Sequence, residues 1–112
     1  MRAEELKGHL DAMLLAALEG GPQHGYAVIE ALRQSTGGRL DLPTGTIYPA
    51  LRRLEQAGLI TGSWSVVGGR RRREYRLTPA GDRALSGRRA DWRDFSAMVT
   101  AALEGVSCPN PA

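Results

Sequence analysis

With 112 residues, 42% of them apolar and 24% charged, the chain has the makeup of one modest globular domain, which excludes bulk disorder. No apolar run approaches the roughly 20 residues that span a bilayer, and the first residues lack the apolar core of a signal peptide, so no membrane role is expected. The lone cysteine, Cys108, has no internal disulfide partner and suits a reducing, cytoplasmic setting, and the net charge of +3 matters chiefly through one cluster, the consecutive Arg70, Arg71, Arg72 and Arg73.

From Arg2 to Glu19, Leu6, Leu10, Met13, Leu14, Ala17 and Leu18 recur at helical spacing. The stripe is wide, so this first helix is expected to pack on more than one neighbour. Gly20, Gly21 and Pro22 stop it. A second helix is expected over Tyr26 to Gln34, with Val28, Ala31 and Leu32 inward. Gly25 before it permits a close backbone approach. Ser35 to Asp41 is a polar, glycine-bearing loop.

The segment from Leu42 to Ile60 is the centre of the chain. Thr44 is expected as the N-cap of a third helix, with Pro43 before it. Ile47, Leu51 and Leu54 form its inward stripe, and Gly58 ends it in the left-handed conformation. Pro49 lacks the N–H that would bond the Gly45 carbonyl, a loss of about 3 kcal/mol in a helix interior. So near the start it is expected to cost less, with a slight kink or a tight 3₁₀ first turn. Tyr48, Arg52 and Arg53 fall off that stripe, and Thr44, Thr46, Tyr48 and Arg52 cluster on the free side at or near the N-terminal end. Hydroxyls and cations there, with apolar residues behind, are what a helix entering a DNA major groove requires.

After Gly58 the period becomes two. A strand is expected from Leu59 to Val66, with Ile60, Trp64 and Val66 on one side. Gly68 and Gly69 supply a tight turn, and a second strand follows from Arg71 to Leu77, with Tyr75 and Leu77 on one face. The four arginines sit at the tip of this hairpin, two on each face, within reach of phosphates or a minor groove. Three helices followed by a hairpin make a winged helix-turn-helix, so the expected class is α+β, mostly α.

Thr78 and Pro79 open a last helix as N-cap and first helical residue, running to about Glu104. Gly81 and Gly87 weaken its early part, and Trp92, Phe95, Val99 and Leu103 line one face farther on. A domain this small offers little to cover that face. A second copy of the chain is therefore expected against it. The seam would hold Leu6, Leu10, Met13 and Leu14 of the first helix beside Trp92, Phe95, Val99 and Leu103. The expected division is 1–78 for the winged helix, 79–104 for the dimerisation helix and 105–112 for a flexible tail.

The segments HGYAVIEAL from His24, PTGTIYPALRRLEQAGLI from Pro43 and RREYRLTPAG from Arg72 resemble the hallmark blocks of the PadR family of transcriptional regulators. The short terminal helix resembles that of the compact subfamily, which has a single dimerising helix. The resemblance implies a dimeric winged-helix repressor that binds an inverted repeat in double-stranded DNA and, in many relatives, releases it on binding a small molecule. It carries over onto Thr46, Tyr48, Pro49, Arg52 and Arg53 as the DNA-facing part of the central helix. It matches His24, Gly25 and Tyr26 to a backbone-approaching helix start, and Arg70 to Arg73 to the variable wing. Leu54 and Glu55 match structural positions, and strand alternation puts Tyr75 in the core. The family commonly has Ser-Pro before Gly-Thr, where this chain has Pro43-Thr44.

Two other classes fit the sequence less well. A metal sensor on the same fold would need a ligand set, and His9, His24 and Cys108 are too scattered to supply one, so no cofactor is expected. A protein-interaction winged helix without DNA contact would want an acidic or apolar outer face, which Arg52, Arg53 and the wing do not provide. Nothing in the sequence has the spacing of a nucleophile–base pair or a phosphate loop, so an enzyme is not expected. The aromatic seam of the dimer, Trp92 and Phe95 above all, is the natural lining for a small aromatic effector.

Overall fold

The computed structural model describes residue 6 and residues 8–105 of the chain. These form four helices and one antiparallel sheet, in the order α1 (Leu10–Ala17), β1 (Gln23–His24), α2 (Gly25–Ser35), α3 (Thr44–Gln56), β2 (Ile60–Val67), β3 (Arg70–Leu77) and α4 (Pro79–Leu103). The expected elements are present, with most boundaries moved by a few residues, but the first helix is not continuous from Arg2 to Glu19: Gly8 (φ +88°) and His9 form a turn and α1 begins at Leu10. The start of the predicted first helix, 2–5 and 7, lies outside the described residues.

The helices close on one core. Leu14, Leu15 and Leu18 meet Val28, Ile29 and Leu32 of α2, Ile47, Leu51 and Leu54 of α3, Ile60 and Tyr75 of the sheet, and Leu85 of α4. Leu14 was expected at a seam between two copies. It is instead fully enclosed in its own chain, because α2, α3 and α4 all lean on α1. Leu6, Leu10 and Met13 stay partly covered at the edge of that core. In α2, Ile29 takes a buried position while Ala31 is only half-buried.

The start of α3 differs from expectation by one residue. Pro43, not Thr44, occupies the cap position, and no side chain caps the helix. The Pro43 carbonyl accepts from the N–H groups of both Thr46 (2.9 Å) and Ile47 (3.1 Å). The first of these is a three-residue closure, so the first turn is tight in the 3₁₀ sense. The helix runs on through Pro49 to Gln56. The Gly45 carbonyl left without an N–H lies on the exposed side, where water can serve it. Gly58 ends the helix at φ +77°, with its N–H bonded to the Glu55 carbonyl and the Leu59 N–H to the Leu54 carbonyl, a Schellman closure.

Strands β2 and β3 pair in register from Ile60↔Leu77 to Val67↔Arg70 around Gly68 and Gly69, whose φ values of +58° and +77° fit a type I′ turn. Ile60, Trp64 and Val66 share a face as expected, but only Ile60 at the root reaches the core. A third strand, β1, pairs Gln23 with Tyr75 and His24 with Glu74, so the sheet order is β1-β3-β2. Two residues carry no periodic signal, which is why the sequence did not announce it.

Thr78 caps α4 as expected. Its Oγ1 accepts from the Gly81 N–H (3.1 Å) and donates to the Gly58 carbonyl at the end of α3 (2.7 Å). Gly81, read as a weakness, is a packing position: a Cβ there would run into the Leu59 carbonyl. The near half of α4 lies along α1, with Arg89 bonded to both oxygens of Glu19 (2.8 and 2.9 Å) and Trp92 edge-on to His9 at 5.2 Å. The far half stands clear, and the molecule measures 72 × 28 × 21 Å.

Candidate nucleic-acid interface

The outer side of α3 follows from its inner side. With Ile47, Ala50, Leu51 and Leu54 turned into the core, helical spacing leaves Thr44, Thr46, Tyr48, Pro49, Arg52 and Arg53 exposed. The two arginines are not equivalent. Arg53 leans back to α1 and donates to Asp11 Oδ1 at 2.9 Å. Arg52 makes no ion pair among the described residues.

The start of α2 is fitted against this face. A Cβ on Gly25 would come 2.5 Å from the Tyr48 ring, so glycine there lets that ring lie over the start of α2. His24 is the N-cap of α2. Its Nδ1 faces the Ala27 N–H at 3.3 Å and its Nε2 faces Arg72 Nη1 at 3.0 Å. A neutral imidazole has one unprotonated nitrogen, so it accepts from one of these donors at a time. Tyr26 is exposed beside it.

The register divides the wing arginines as expected. Arg71 and Arg73 share a face with Trp64, while Arg70 and Arg72 lie on the other. Their surroundings differ more than the sequence implied. Arg72 reaches back to His24. Arg73 is bonded to Glu55 of α3 at 2.6 Å. Arg71 lies over the Trp64 ring, 4.6 Å from its centroid. Arg70 is exposed at the turn, and neither it nor Arg71 is in an ion pair among the described residues. Tyr48 from α3, His24, Gly25 and Tyr26 from the start of α2, and Trp64 and Arg71 to Arg73 from the wing all line one open cleft of about 350 Å³. The helix tip and the arginine ribbon therefore lie on one side of the protomer.

A winged helix that presents hydroxyls, rings and cations on one side is a frame for holding DNA, and comparison with known proteins decides the family. The sequence model of the Transcriptional regulator PadR-like family matches residues 14–87. The chain belongs to the PadR-like family. Transcriptional regulator Rv3488 of Mycobacterium tuberculosis is 56% identical over 63 residues, 56% of this chain and 56% of that one. A transcriptional regulator from Clostridium thermocellum superposes with a TM-score of 0.81 at 26% identity, covering 88% of this chain and 96% of that one. A PadR family transcriptional regulator from Eggerthella lenta does so with a TM-score of 0.79 at 33% identity, covering 90% and 87%. The protein is thus a transcriptional regulator on a DNA-binding winged helix, and not an enzyme.

In this PadR-like regulator three features escaped sequence reasoning: Trp64, the Glu55–Arg73 pair and the Arg53–Asp11 pair. The first was within reach; the second joins α3 to β3 across 18 positions and was not. A two-residue turn at Gly68 and Gly69 places Trp64 opposite Arg73 by counting outwards. The third joins residues 42 positions apart and carries no sequence signal.

Away from this face, α4 exposes from its middle onwards a row of large apolar side chains: Trp92 (52% exposed), Phe95 (52%), Met98 (61%) and Leu103 (80%), with Val99 half-buried. Among the described residues no helix is long and apolar enough to cross a membrane, and no group of three His, Cys, Asp or Glu is placed to hold a metal ion. Cys108 lies outside the described residues.

Proposed function

We propose that the protein is a dimeric repressor that reads an inverted repeat and answers to a small planar aromatic molecule. The observation that carries the DNA side is the shared cleft, in which Tyr48 of α3 meets the start of α2 and the wing arginines. Thr44, Thr46 and Pro49 at the tip of α3, with His24 and Tyr26 at α2, face the phosphate backbone and set register. Arg52 and Tyr48 address base edges, with Arg53 at their flank, while Arg70, Arg71 and Arg72 bring the wing to the neighbouring backbone.

Residues 1–78 form the DNA-binding part, 79–104 the dimerisation helix and 105–112 a tail. Covering Trp92, Phe95, Met98 and Leu103 is worth about 1.5–3 kcal/mol per fully buried side chain, and a second α4 with the edge of α1 (Leu6, Leu10, Met13) is the simplest cover. The two-fold axis sets the tips of α3 about 34–36 Å apart, or a multiple of that. A regulator of chromosomal genes acts in the cytoplasm. A ligand seated between Trp92 and Phe95 of the two copies would favour one crossing angle of α4 over another and so shift the DNA-competent population.

Titration of the protein against a duplex from upstream of its own gene tests this. With about six to ten phosphates neutralised per dimer, affinity is expected to fall by about 10³–10⁵ between 50 and 200 mM salt. A nearly flat salt dependence ends the reading. For the effector, tryptophan emission is followed across a panel of planar aromatic compounds. No quenching by any of them, with DNA binding intact, removes the ligand from the proposal.

A further inference from the structure

The wing arginines do not act as a set. Arg73 Nη2 meets Glu55 Oε2 at 2.6 Å, and the same oxygen accepts the Gly62 N–H at 3.2 Å. Glu55 belongs to α3, so one carboxylate holds the reading helix to both strands of the wing. Gly62 makes room for this: a Cβ there would come 2.7 Å from Arg73 Nε, so only glycine lets the guanidinium lie across β2. Trp64 stands directly opposite Arg73 in the register. The guanidinium carbons of Arg73 and Arg71 lie 5.4 and 4.6 Å from the centroid of its ring, both within cation–π range. A continuous chain of contacts therefore runs from α3 to the tip: Glu55, Arg73, Trp64, Arg71.

Both side chains of the ion pair are about one-third exposed, at 32% and 30%, so the pair is less open to salt than a surface pair. The Glu55 carboxylate balances the charge of the Arg73 guanidinium, and a phosphate brought beside Arg73 would also be brought beside that carboxylate, which repels it. Arg71 has no such partner among the described residues.

We propose that Glu55, Arg73 and Trp64 are positioning residues: they fix the wing to the reading helix and hold Arg71 out as the phosphate contact, while Arg73 itself touches no DNA. The proposal rests on the DNA-binding reading above. It carries an unusual sign. Glu55→Gln takes a negative charge away from the DNA-facing side, which by long-range electrostatics alone favours binding. A strut that has lost its anchor weakens binding instead.

The experiment uses the full chain, a fluorescently labelled duplex from upstream of its own gene, and anisotropy titrations over a salt series. Thermal melting is recorded for every variant. Glu55→Gln and Arg73→Lys are each expected to bind on the order of tenfold more weakly at an essentially unchanged melting temperature. Lysine keeps the charge of Arg73 but not the planar group that pairs and stacks at once. The double variant Glu55→Gln with Arg73→Gln is expected to be no weaker than the weaker single one, since both act through one contact. Arg71→Gln is expected to lower the slope of log affinity against log salt by about 2 per dimer, one phosphate for each protomer. The proposal is overturned if Glu55→Gln binds as tightly as the parent or more tightly, or if Arg73→Lys binds like the parent. A parent protein with no salt-dependent binding overturns the DNA reading itself, and is told apart because no variant is needed to see it.

Discussion

The two longest helices are held in opposite ways. Helix α3 is 13 residues long and buries Ile47, Ala50, Leu51 and Leu54 within its own chain. Helix α4 is 25 residues long and buries only Gly81 and Leu85. One is anchored along its whole inner face, and the other is a rod fixed at one end. The difference separates two tasks. The outer face of α3 buries no large apolar side chain, so most of its side chains are free to be chosen for a ligand, Arg53 with its partner Asp11 and Tyr48 against Gly25 being the exceptions. The far half of α4 has apolar side chains that the described residues do not cover, so the proposed second copy would add to its stability.

The sharpest way to break this contrast is through α3. Leu51→Ala is expected to cost about 2–5 kcal/mol, because Leu51 is fully enclosed and the cavity cannot collapse between four packed elements. Chemical denaturation followed by circular dichroism measures it, and a loss below about 1 kcal/mol would mean α3 is not anchored as described. The counterpart on α4 is Phe95→Asp together with Val99→Asp. Each protomer is expected to keep its fold but to lose its partner, read as a halved mass in sedimentation. The melting temperature of the parent should rise with protein concentration and that of the variant should not.

A smaller effect sharpens the joint between the two helices. Thr78→Ala removes both the cap of α4 and the bond to the Gly58 carbonyl, for an expected loss of about 1 kcal/mol in thermal melts. Thr78→Ser, which keeps the hydroxyl, should recover most of it. The smallest effect concerns the fixed end of α4. The hydrogen bond from Arg89, with its charge, holds the Glu19 carboxyl below the usual carboxylate range against a smaller opposing effect of burial. A depressed folded pKa contributes stability above the unfolded value and loses it as pH falls through the folded one. Melting temperature is therefore expected to show a slight extra fall at acid pH that Glu19→Gln lacks. Equal acid profiles for the two proteins would show the pair contributes nothing.

Much of this architecture was legible because it is local. The stripe of Ile47, Leu51 and Leu54, the glycine stop at Gly58, the paired glycines of the turn and the Thr78-Pro79 start are each set by a few neighbouring residues. Leu14 was misplaced for a different reason. An apolar residue on a wide stripe reads the same whether its cover comes from its own chain or from another, and only the packing of α2, α3 and α4 on α1 decided it. Thr44 was displaced from the cap because Pro43 already has extended backbone geometry there, with ψ near 154°, and its carbonyl begins the ladder. The wing was legible in register but not in partnership. Four arginines in a row look alike, and the tertiary neighbours of each, Glu55, His24 and Trp64, give them separate roles.

The Thr78 hydroxyl bridges the end of α3 and the beginning of α4, with a single residue between β3 and that second helix. No slack exists there to absorb a rotation. In a pair joined along α4, each protomer then behaves as one arm of a caliper, pivot at the tails and jaws at the reading heads. A molecule wedged at the pivot would change the jaw opening without approaching the nucleic acid, and an operator whose halves are spaced for one opening would be refused at another.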